Sequence, residues 1–353
     1  MVYTARPLAA RLAVFWHNHF ATSNVKVNRP ALMLQQLRTF EQHALGSFDQ
    51  MLLAVARDPA MILWLDGDEN HKGRPNENFA RELLELFTLG VGNYSERDIK
   101  EIARAFTGWR QRDGSFYFNR RDHDDGLKEA LGRRGGFDGG DIVPLVLTQP
   151  AAAEFLARKL MREFVSDTPD AELVAAFADV MRAEKFNIAA ALRILLASRA
   201  MFAAGSYRAR ISSPVEFVVG TLRTLEMRMY MHAAARACGE MGQRLFEPPT
   251  VKGWDGGRTW IDSATMLVRM NGAAAACRAR NDGLGFQAAE FCERHQLDDA
   301  KAAAKVLSDL LLDGKLPPAL EESIDEAADR GKFEDAVRTI VQLILASPEY
   351  QLV

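Results

Sequence analysis

The chain has 353 residues, of which 48% are hydrophobic and 26% are charged, a composition typical of globular proteins. Its formal net charge is -3 at pH 7. A slightly negative net charge gives no general electrostatic reason to expect binding to nucleic acid or to an acidic membrane surface. The length suits one large domain or two ordinary ones.

Targeting signals and cysteine motifs are weak. Residues 1–7 lack the apolar core of a signal peptide, and no apolar run reaches the roughly 18 residues of a membrane-spanning helix. The three cysteines, Cys238, Cys277 and Cys292, lie far apart and form no Cys-x-x-Cys motif. This spacing disfavours a disulfide framework or a thiolate zinc site and predicts small buried side chains. The sequence indicates neither localisation nor oligomeric state.

Helical periodicity dominates the chain before residue 110. Leu8, Leu12 and Phe15 recur at a spacing of three and four residues, which is typical of one helix face. The helices predicted in this part cover residues 7–20, 30–45, 47–57, 60–65, 76–89 and 95–107.

Several of these helices carry end signals. Ser47 with Gln50 predicts a capping box, and Ser95 predicts the start of the helix that follows it. Asn76 can cap the carboxylate-rich helix, and Gly90 stands where a left-handed glycine commonly ends one.

The pattern breaks at residues 110–140. Seven glycines and one short β-like run at 116–118 predict a loop or a small hairpin there. We therefore predict an all-α fold, an irregular multi-helix domain with a small β-hairpin or loop insertion around residues 110–140. The later predicted helices cover residues 141–165, 170–181, 188–202 and 214–229, and helices resume after an irregular loop at 242–260.

An acidic loop precedes the carboxylate-rich helix. Asp66, Asp68, Asn70 and Glu77 stand at relative positions 1, 3, 5 and 12, the ligand spacing of a calcium-binding EF-hand loop. His71 occupies position 6, where the sharp turn needs glycine. The loop is therefore either a site for a hard cation or a solvated turn whose Glu77 stabilises a helix N-terminus.

Residues 76–90 combine an apolar stripe with charged side chains. Glu77, Arg81 and Glu85 are spaced i, i+4, i+8, which predicts a ladder of charges along one side of a helix. Glu82 and Glu85 are about 60° apart on a helix, so both could face one site. One interpretation is a salt-bridged flank. In the other, one glutamate is a general base or metal ligand that Arg81 keeps ionised.

Two histidines end the first helix, within the sequence Phe-Trp-His-Asn-His-Phe at residues 15–20. His-x-His suggests a pair of metal ligands, but side chains two residues apart on a helix point about 200° apart. His17 and His19 could bind one ion only where the helix ends or unwinds. Because His19 continues an apolar face, buried and hydrogen-bonded histidines are the alternative.

Two loops carry further candidates. His123 and Asp124 lie in the glycine-rich insertion. Catalytic groups often lie on such loops, although Asp and Gly also make ordinary turns.

The loop at 242–260 contains two consecutive prolines, several glycines and the tryptophans Trp254 and Trp260. Those rings are either exposed stacking platforms for a sugar or peptide, or plugs that fix the loop to the helices.

Four of these segments resemble the bacterial domain of unknown function 1800 (DUF1800) family. They are residues 16–20, 66–109, 123–131 and 242–260. Through them the resemblance covers essentially the whole chain. The family has no established biochemical activity, so the resemblance implies candidate residues rather than a reaction. Those in its motifs include Asn76, Glu77, Arg81, Glu82, Glu85, His123, Asp124 and Lys128.

Members of that family usually have a further helical segment before the point where this chain begins, and many look exported. The resemblance thus implies a single mostly helical domain over residues 1–353 that lacks the usual N-terminal extension.

Two functions compete at this point. The first is a hydrolase that depends on a divalent cation, either calcium or a transition metal. Its catalytic residues would be Glu82, Glu85, His123, Asp124 and Arg81, and its metal ligands His17, His19, Asp66, Asp68, Asn70 and Glu77. The second is a non-enzymatic envelope or surface protein that binds a polymer or protein partner through the 242–260 loop, with ligand contacts from Lys252, Trp254 and Trp260. A third interpretation makes the motifs purely architectural.

Overall fold

Helices make up most of the described chain, which confirms the predicted all-α class. The computed structural model describes residues 1–278 and 282–353. These residues divide into two units. The N-terminal unit comprises Ala5–Ser206 and Phe246–Asp255, and the C-terminal unit comprises Met1–Thr4, Tyr207–Leu245 and Gly256–Val353. Each unit thus contains a piece that is remote in sequence from the rest of it.

Eleven α-helices belong to the described N-terminal unit. They are α1 Pro7–His19, α2 Asn24–Val27, α3 Pro30–His43, α4 Phe48–Ala56, α5 Pro59–Trp64, α6 Asn78–Glu82, α7 Glu96–Ala105, α8 Gly139–Leu147, α9 Pro150–Phe164, α10 Ala171–Ala183 and α11 Ile188–Leu196. Prolines in the first turn begin α1, α3, α5 and α9, because a missing N–H costs nothing at that position.

Side-chain caps fix other helix starts. The Ser95 hydroxyl accepts the N–H of Asp98 and the Asp98 carboxylate accepts the N–H of Ser95, so α7 begins at a full capping box. The box predicted at Ser47 with Gln50 is wrong. Ser47 makes no side-chain cap bond, and its hydroxyl donates to Asp49.

The carboxylate-rich helix changes type halfway along. The α6 segment gives way to a π-helix at Leu83–Thr88, hereafter the π-turn. The N–H groups of Leu89 and Gly90 both donate to the Leu84 carbonyl, at 2.9 and 3.0 Å. Gly90 has φ +79, as its predicted place at the helix end requires. Such π-turns are rare and often lie at functional or constrained positions.

The insertion at 110–140 contains two hairpins. Strand β1 (Trp109–Arg112) pairs antiparallel with β2 (Ser115–Phe118), and β3 (Lys128–Ala130) pairs with β4 (Arg133–Gly135). Each two-residue turn has positive φ at both positions, which matches the right-handed twist of paired strands. The predicted small β insertion is therefore confirmed.

An aromatic cluster forms the centre of the N-terminal unit. Trp16, Phe20, Phe48 and Phe87 are almost completely buried, and the Phe20 and Phe87 ring centroids are 5.2 Å apart. The end of α1 thereby packs against the π-turn. Burial of such large rings is a main source of folding free energy.

The described part of the C-terminal unit contains seven α-helices. They are α12 Pro214–Thr224, α13 Met231–Glu240, α14 Ser263–Cys277, α15 Ala288–Arg294, α16 Ala300–Leu312, α17 Pro318–Ala328 and α18 Phe333–Ala346. Four residues of α18, Val337, Ile340, Val341 and Ile344, are fully buried, so this helix runs through the core of the unit. All three cysteines are buried, as predicted, and none is paired in a disulfide among the described residues. Within residues 1–278 and 282–353, no helix combines the length and apolarity needed to cross a membrane.

Candidate functional site

Two side chains at the end of α1 fasten the segment Phe246–Asp255. The backbone N–H of Phe246 donates to Nε2 of His17 at 2.9 Å. Asn18 binds both backbone groups of Trp254, accepting from the N–H at 2.8 Å and donating to the carbonyl at 3.3 Å. The Trp254 ring lies edge-on to His17, with centroids 5.5 Å apart. His17 thus holds backbone in place, and its ring nitrogen Nε2 is occupied by that bond.

Gly253 makes this close approach possible. Its φ is +89, and a Cβ built on it would lie 2.2 Å from Oδ1 and 2.5 Å from the carbonyl oxygen of Asn18. No side chain fits that space, and glycine adopts the left-handed region without steric cost.

The neighbouring His19 caps the π-turn. Its Nε2–H donates to the Phe87 carbonyl at 3.0 Å, and Nζ of Lys159, on α9, donates to the Leu86 carbonyl at 3.1 Å. Carbonyls near a helix end lack partners within the helix, and a buried one must find a partner elsewhere. His19 and Lys159 therefore satisfy two consecutive carbonyls of the π-turn.

Burial keeps both histidines neutral. It lowers the pKa of His17 to about 4 and the pKa of His19 well below its usual range, with a further contribution to His19 from the Lys159 charge. Burial also lowers the pKa of Lys159 to about 7, assisted by the positive charges of Arg162 and Lys252. Neutral rings fit their hydrogen bonds here, because His17 must accept and His19 must donate.

The four predicted cation ligands bind separate protein groups. Asp66 accepts from Lys26 at 2.7 Å, Asp68 from the N–H of Gln111 at 3.0 Å, Asn70 from the N–H of Asn76 at 2.9 Å, and Glu77 from Arg81 at 3.2 Å. Among residues 1–278 and 282–353, no group of three or more His, Cys, Asp or Glu side chains is placed to hold a metal ion. The calcium or transition-metal prediction gains no support from this arrangement.

The charge ladder on the carboxylate helix is only partly formed. Arg81 pairs with Glu77 at 3.2 Å, as predicted, and with Glu96 at 2.8 Å. Glu85 leaves the ladder, because the π-turn changes the rotation between successive side chains. It accepts instead from the hydroxyl of Tyr94 at 2.9 Å.

The two glutamates proposed as bases lie close enough for the charge of Glu85 to act on Glu82. Burial raises the pKa of Glu82, and the Glu85 charge raises it further. In the part of the chain that the structure describes, no hydrogen bond or ion pair joins either glutamate to His19 or His123. Their assignment as general bases stays a prediction.

His123 and Asp124 hold the insertion against α7. The Nδ1–H of His123 donates to the Thr107 carbonyl at 2.9 Å. Asp124 receives two bonds from Arg104, at 2.8 and 3.3 Å, and these bring its pKa down to about 2. The buried Lys128 donates to the Asp124 carbonyl. This motif is thus a closed network of internal bonds.

The tryptophans of the 242–260 loop are buried. Trp254 is 7% exposed and Trp260 is 6% exposed, so the plug interpretation fits and the stacking-platform interpretation does not. Lys252 is exposed and pairs with Asp255 in the same segment.

Sequence reasoning missed a polar cluster on the insertion. Nδ1 of His71 lies 2.8 Å from the Asp122 carboxylate, and Arg110 contacts both groups and donates to the Gly67 carbonyl at 2.8 Å. The cluster joins the acidic loop to β1. His71 and Asp122 are 51 residues apart in sequence, and no spacing rule connects them.

It also missed a cavity in the C-terminal unit. The cavity has a volume of about 360 Å³ and lies among α12, α13 and α14, with Leu345 of α18 also lining it. Its wall is mostly apolar and includes three methionines, Met227, Met229 and Met241, whose flexible side chains adapt to different occupants. Small residues on α14, among them Gly272, leave the space open. Alanines and a glycine in a helix gave no functional signal in the sequence.

Arg269 contributes a buried cation to the cavity wall. Its side chain is completely buried and lies over the Phe217 ring at 5.1 Å. It donates to the Gln351 side chain at 3.1 Å and to the Ser212 carbonyl at 2.9 Å, whereas Nε has no partner among the described residues. Burial lowers its pKa to about 10, so it stays charged at pH 7.

Replacing Gly253 by alanine should destabilise the protein far more than the same change at Gly132. Both glycines have positive φ, but only Gly253 faces Asn18, whereas a Cβ at Gly132 meets nothing within 4 Å. Gly132→Ala should cost about 1 kcal/mol for backbone strain alone, and Gly253→Ala at least about 2 kcal/mol more. Urea unfolding of both variants measures the difference, and equal costs would show that the Asn18 contact is unimportant.

Acid should destabilise the protein through His17. Its folded pKa of about 4 lies below the ordinary 6.5, so the unfolded state binds more protons in that window and stability falls as the pH drops through it. Over the whole pH range in which His17 titrates, the free energy of unfolding falls by about 3 kcal/mol. Asp58 acts in the opposite direction, because burial raises its pKa to about 6.

The test compares the wild type with His17→Gln, which keeps an acceptor but does not titrate. Their difference in unfolding free energy, measured at about pH 7 and about pH 5, cancels the Asp58 effect. The variant should show the weaker pH dependence. A direct NMR titration placing the His17 pKa near 6.5 would contradict the prediction even if the variant fails to fold.

Lys159→Met should destabilise the protein by about 1–2 kcal/mol, because it leaves the Leu86 carbonyl without its donor. Arg158→Met is the matched control, since Arg158 is exposed on the same helix. Chemical denaturation of both variants tests this. Equal stability of the two would mean that the π-turn does not need the lysine.

The comparisons with known proteins identify a family but no characterised relative. No curated protein and no solved structure matches the chain. The family model described as protein of unknown function (DUF1800) matches residues 1–352, which confirms the resemblance seen in the four sequence segments. The chain therefore belongs to the DUF1800 family.

Proposed function

We propose that this DUF1800 protein binds a small, largely apolar molecule in the cavity of its C-terminal unit. The observation that carries the proposal is the cavity itself. Its volume of about 360 Å³ falls within the range of small-molecule sites, which are mostly apolar with a few polar groups. The wall has this character, since its lining is apolar except at Thr221, Glu240, Arg269 and Asn271.

The histidines of the motifs bond to backbone groups of the protein itself. His17, His19 and His123 each spend a ring nitrogen on a backbone group, and no metal group is found among residues 1–278 and 282–353. The hydrolase hypothesis therefore has no geometric support. This proposal shares a binding role with the non-enzymatic alternative. It differs in the site, which is the cavity among α12–α14 rather than the 242–260 loop.

Gly272 allows a sharp test of the proposal. It lies in the middle of α14, lines the cavity, and has open space at the position of a Cβ. Gly272→Leu should fill part of the cavity. Gly220→Leu is the matched control, because Gly220 is also helical with open space at its Cβ but does not line the cavity. Both changes remove a helix glycine and should stabilise the fold by roughly 0.5–1 kcal/mol.

The readout is binding of N-phenyl-1-naphthylamine, a neutral apolar dye whose fluorescence rises in apolar surroundings. The wild type and Gly220→Leu should bind it equally, and Gly272→Leu should bind it at least roughly tenfold more weakly, a loss of about 1.4 kcal/mol. Bound dye should also raise Tm of the two binding proteins, because it stabilises the native state. Undiminished binding by Gly272→Leu, or none by the wild type, would refute the proposal.

A further inference from the structure

We propose that the outer edge of β2 binds an extended acidic segment of a partner protein as an added β-strand. This site lies in the N-terminal unit and is independent of the function proposed for the cavity. Strand β2 is paired with β1 along one side only. The other side of such a strand presents N–H and C=O groups that can pair with a further chain.

The register of the hairpin identifies the backbone groups on this outer edge. The N–H of Asn119 donates to the Gly108 carbonyl at 2.7 Å, in the register that the strands share. Bonded and non-bonded pairs alternate along an antiparallel ladder, so the N–H and C=O groups of Phe116 and Phe118 point away from β1. Among residues 1–278 and 282–353, these four groups have no hydrogen-bond partner.

The outer edge of β2 is open to solvent, whereas the acidic loop covers the opposite edge of the hairpin. There the N–H of Gln111 donates to the Asp68 carboxylate at 3.0 Å. Buried backbone groups are rarely left unpaired, so the free groups of Phe116 and Phe118 face water. Tyr117, between them, is 38% exposed. A partner chain can therefore reach this edge.

Exposed arginines give the edge a positive charge. A guanidinium lies over each ring of β2, Arg57 over Phe116, Arg112 over Tyr117 and Arg120 over Phe118, at 5.4, 4.5 and 5.6 Å. All three arginines are exposed, and none forms an ion pair within the part of the chain that the structure describes. Within residues 109–122, Asp122 is already paired with Arg110, so Asp113 is the carboxylate left against these three cations. This excess favours a negatively charged partner.

The pleat of an added strand determines which of its residues should be acidic. Phe116 and Phe118 share one face of the hairpin, and Arg57 and Arg120 lie beside them. Every second side chain of an added strand would therefore point toward these two arginines. The side chain between them would lie beside Tyr117 on the other face, where an apolar residue gains aromatic contact. The segment that fits best thus alternates acidic and apolar residues.

The experiment titrates the full chain by calorimetry with the acetylated and amidated peptide Thr-Glu-Val-Glu-Val-Thr. Two matched peptides carry lysine in place of both glutamates, or an N-methyl group on every residue. The lysine peptide reverses the charge, and the methylated peptide keeps the charge but loses its backbone donors. The glutamate peptide should bind at least roughly tenfold more tightly than either.

Protein variants and hydrogen exchange locate the site. Arg57→Gln combined with Arg120→Gln should weaken binding of the glutamate peptide roughly three- to tenfold, because it removes two exposed ion pairs. Arg133→Gln combined with Arg134→Gln is the matched control, since it removes the same charge from β4 and should leave binding unchanged. Bound peptide should slow hydrogen exchange of the Phe116 and Phe118 amides, because the added strand supplies their acceptors.

The peptide series on the wild type decides even where a variant fails to fold. Equal binding of the lysine peptide overturns the charge complementarity, and equal binding of the methylated peptide overturns strand addition. Tighter binding of an oligothymidylate than of the glutamate peptide would overturn the proposal in favour of nucleic acid. Absence of binding by the glutamate peptide, or unchanged exchange at both amides, would also refute it. None of these results bears on the cavity, which N-phenyl-1-naphthylamine tests separately.

Discussion

The N-terminal unit depends on hydrogen bonds made by three consecutive residues at the end of α1. Successive side chains on a helix point about 100° apart, so His17, Asn18 and His19 reach three different directions. Each one binds backbone rather than another side chain. The bond of His19 is buried and the other two are partly buried, so losing one would leave a polar group with little access to water. The arrangement ties the π-turn and the Phe246–Asp255 segment to one short stretch of helix.

This constraint explains why a motif rich in histidine and carboxylate looks catalytic in the sequence. A side chain that forms a hydrogen bond with a buried backbone group must have the right donor or acceptor at that position. A catalytic side chain is restricted in the same way. The π-turn exposes carbonyls that only particular donors can reach, and His19 and Lys159 supply them. The His123 and Asp124 bonds do the same for the hairpin insertion. In this structure these side chains thus bond to groups of the protein itself.

The sequence predicts local features well and long-range ones poorly. The capping of α7 by Ser95, the left-handed Gly90 and the small β insertion all follow from local rules. The first hairpin also contains Asp113 and Gly114, a residue pair that is typical of a two-residue hairpin turn. The π-turn escapes prediction because helical patterns assume a uniform period. The cavity escapes because its wall comes from separate helices whose alanines and glycine look ordinary.

The division of the chain between its units has a consequence for how the protein is made. The Phe246–Asp255 segment belongs to the N-terminal unit, although residues on both sides of it belong to the other unit. During synthesis the N-terminal unit emerges first, but His17 and Asn18 lack their backbone partners until residue 255 has appeared. The last piece of the N-terminal unit is therefore synthesised only after residues 207–245 of the C-terminal unit. No single cut of the chain yields either unit whole.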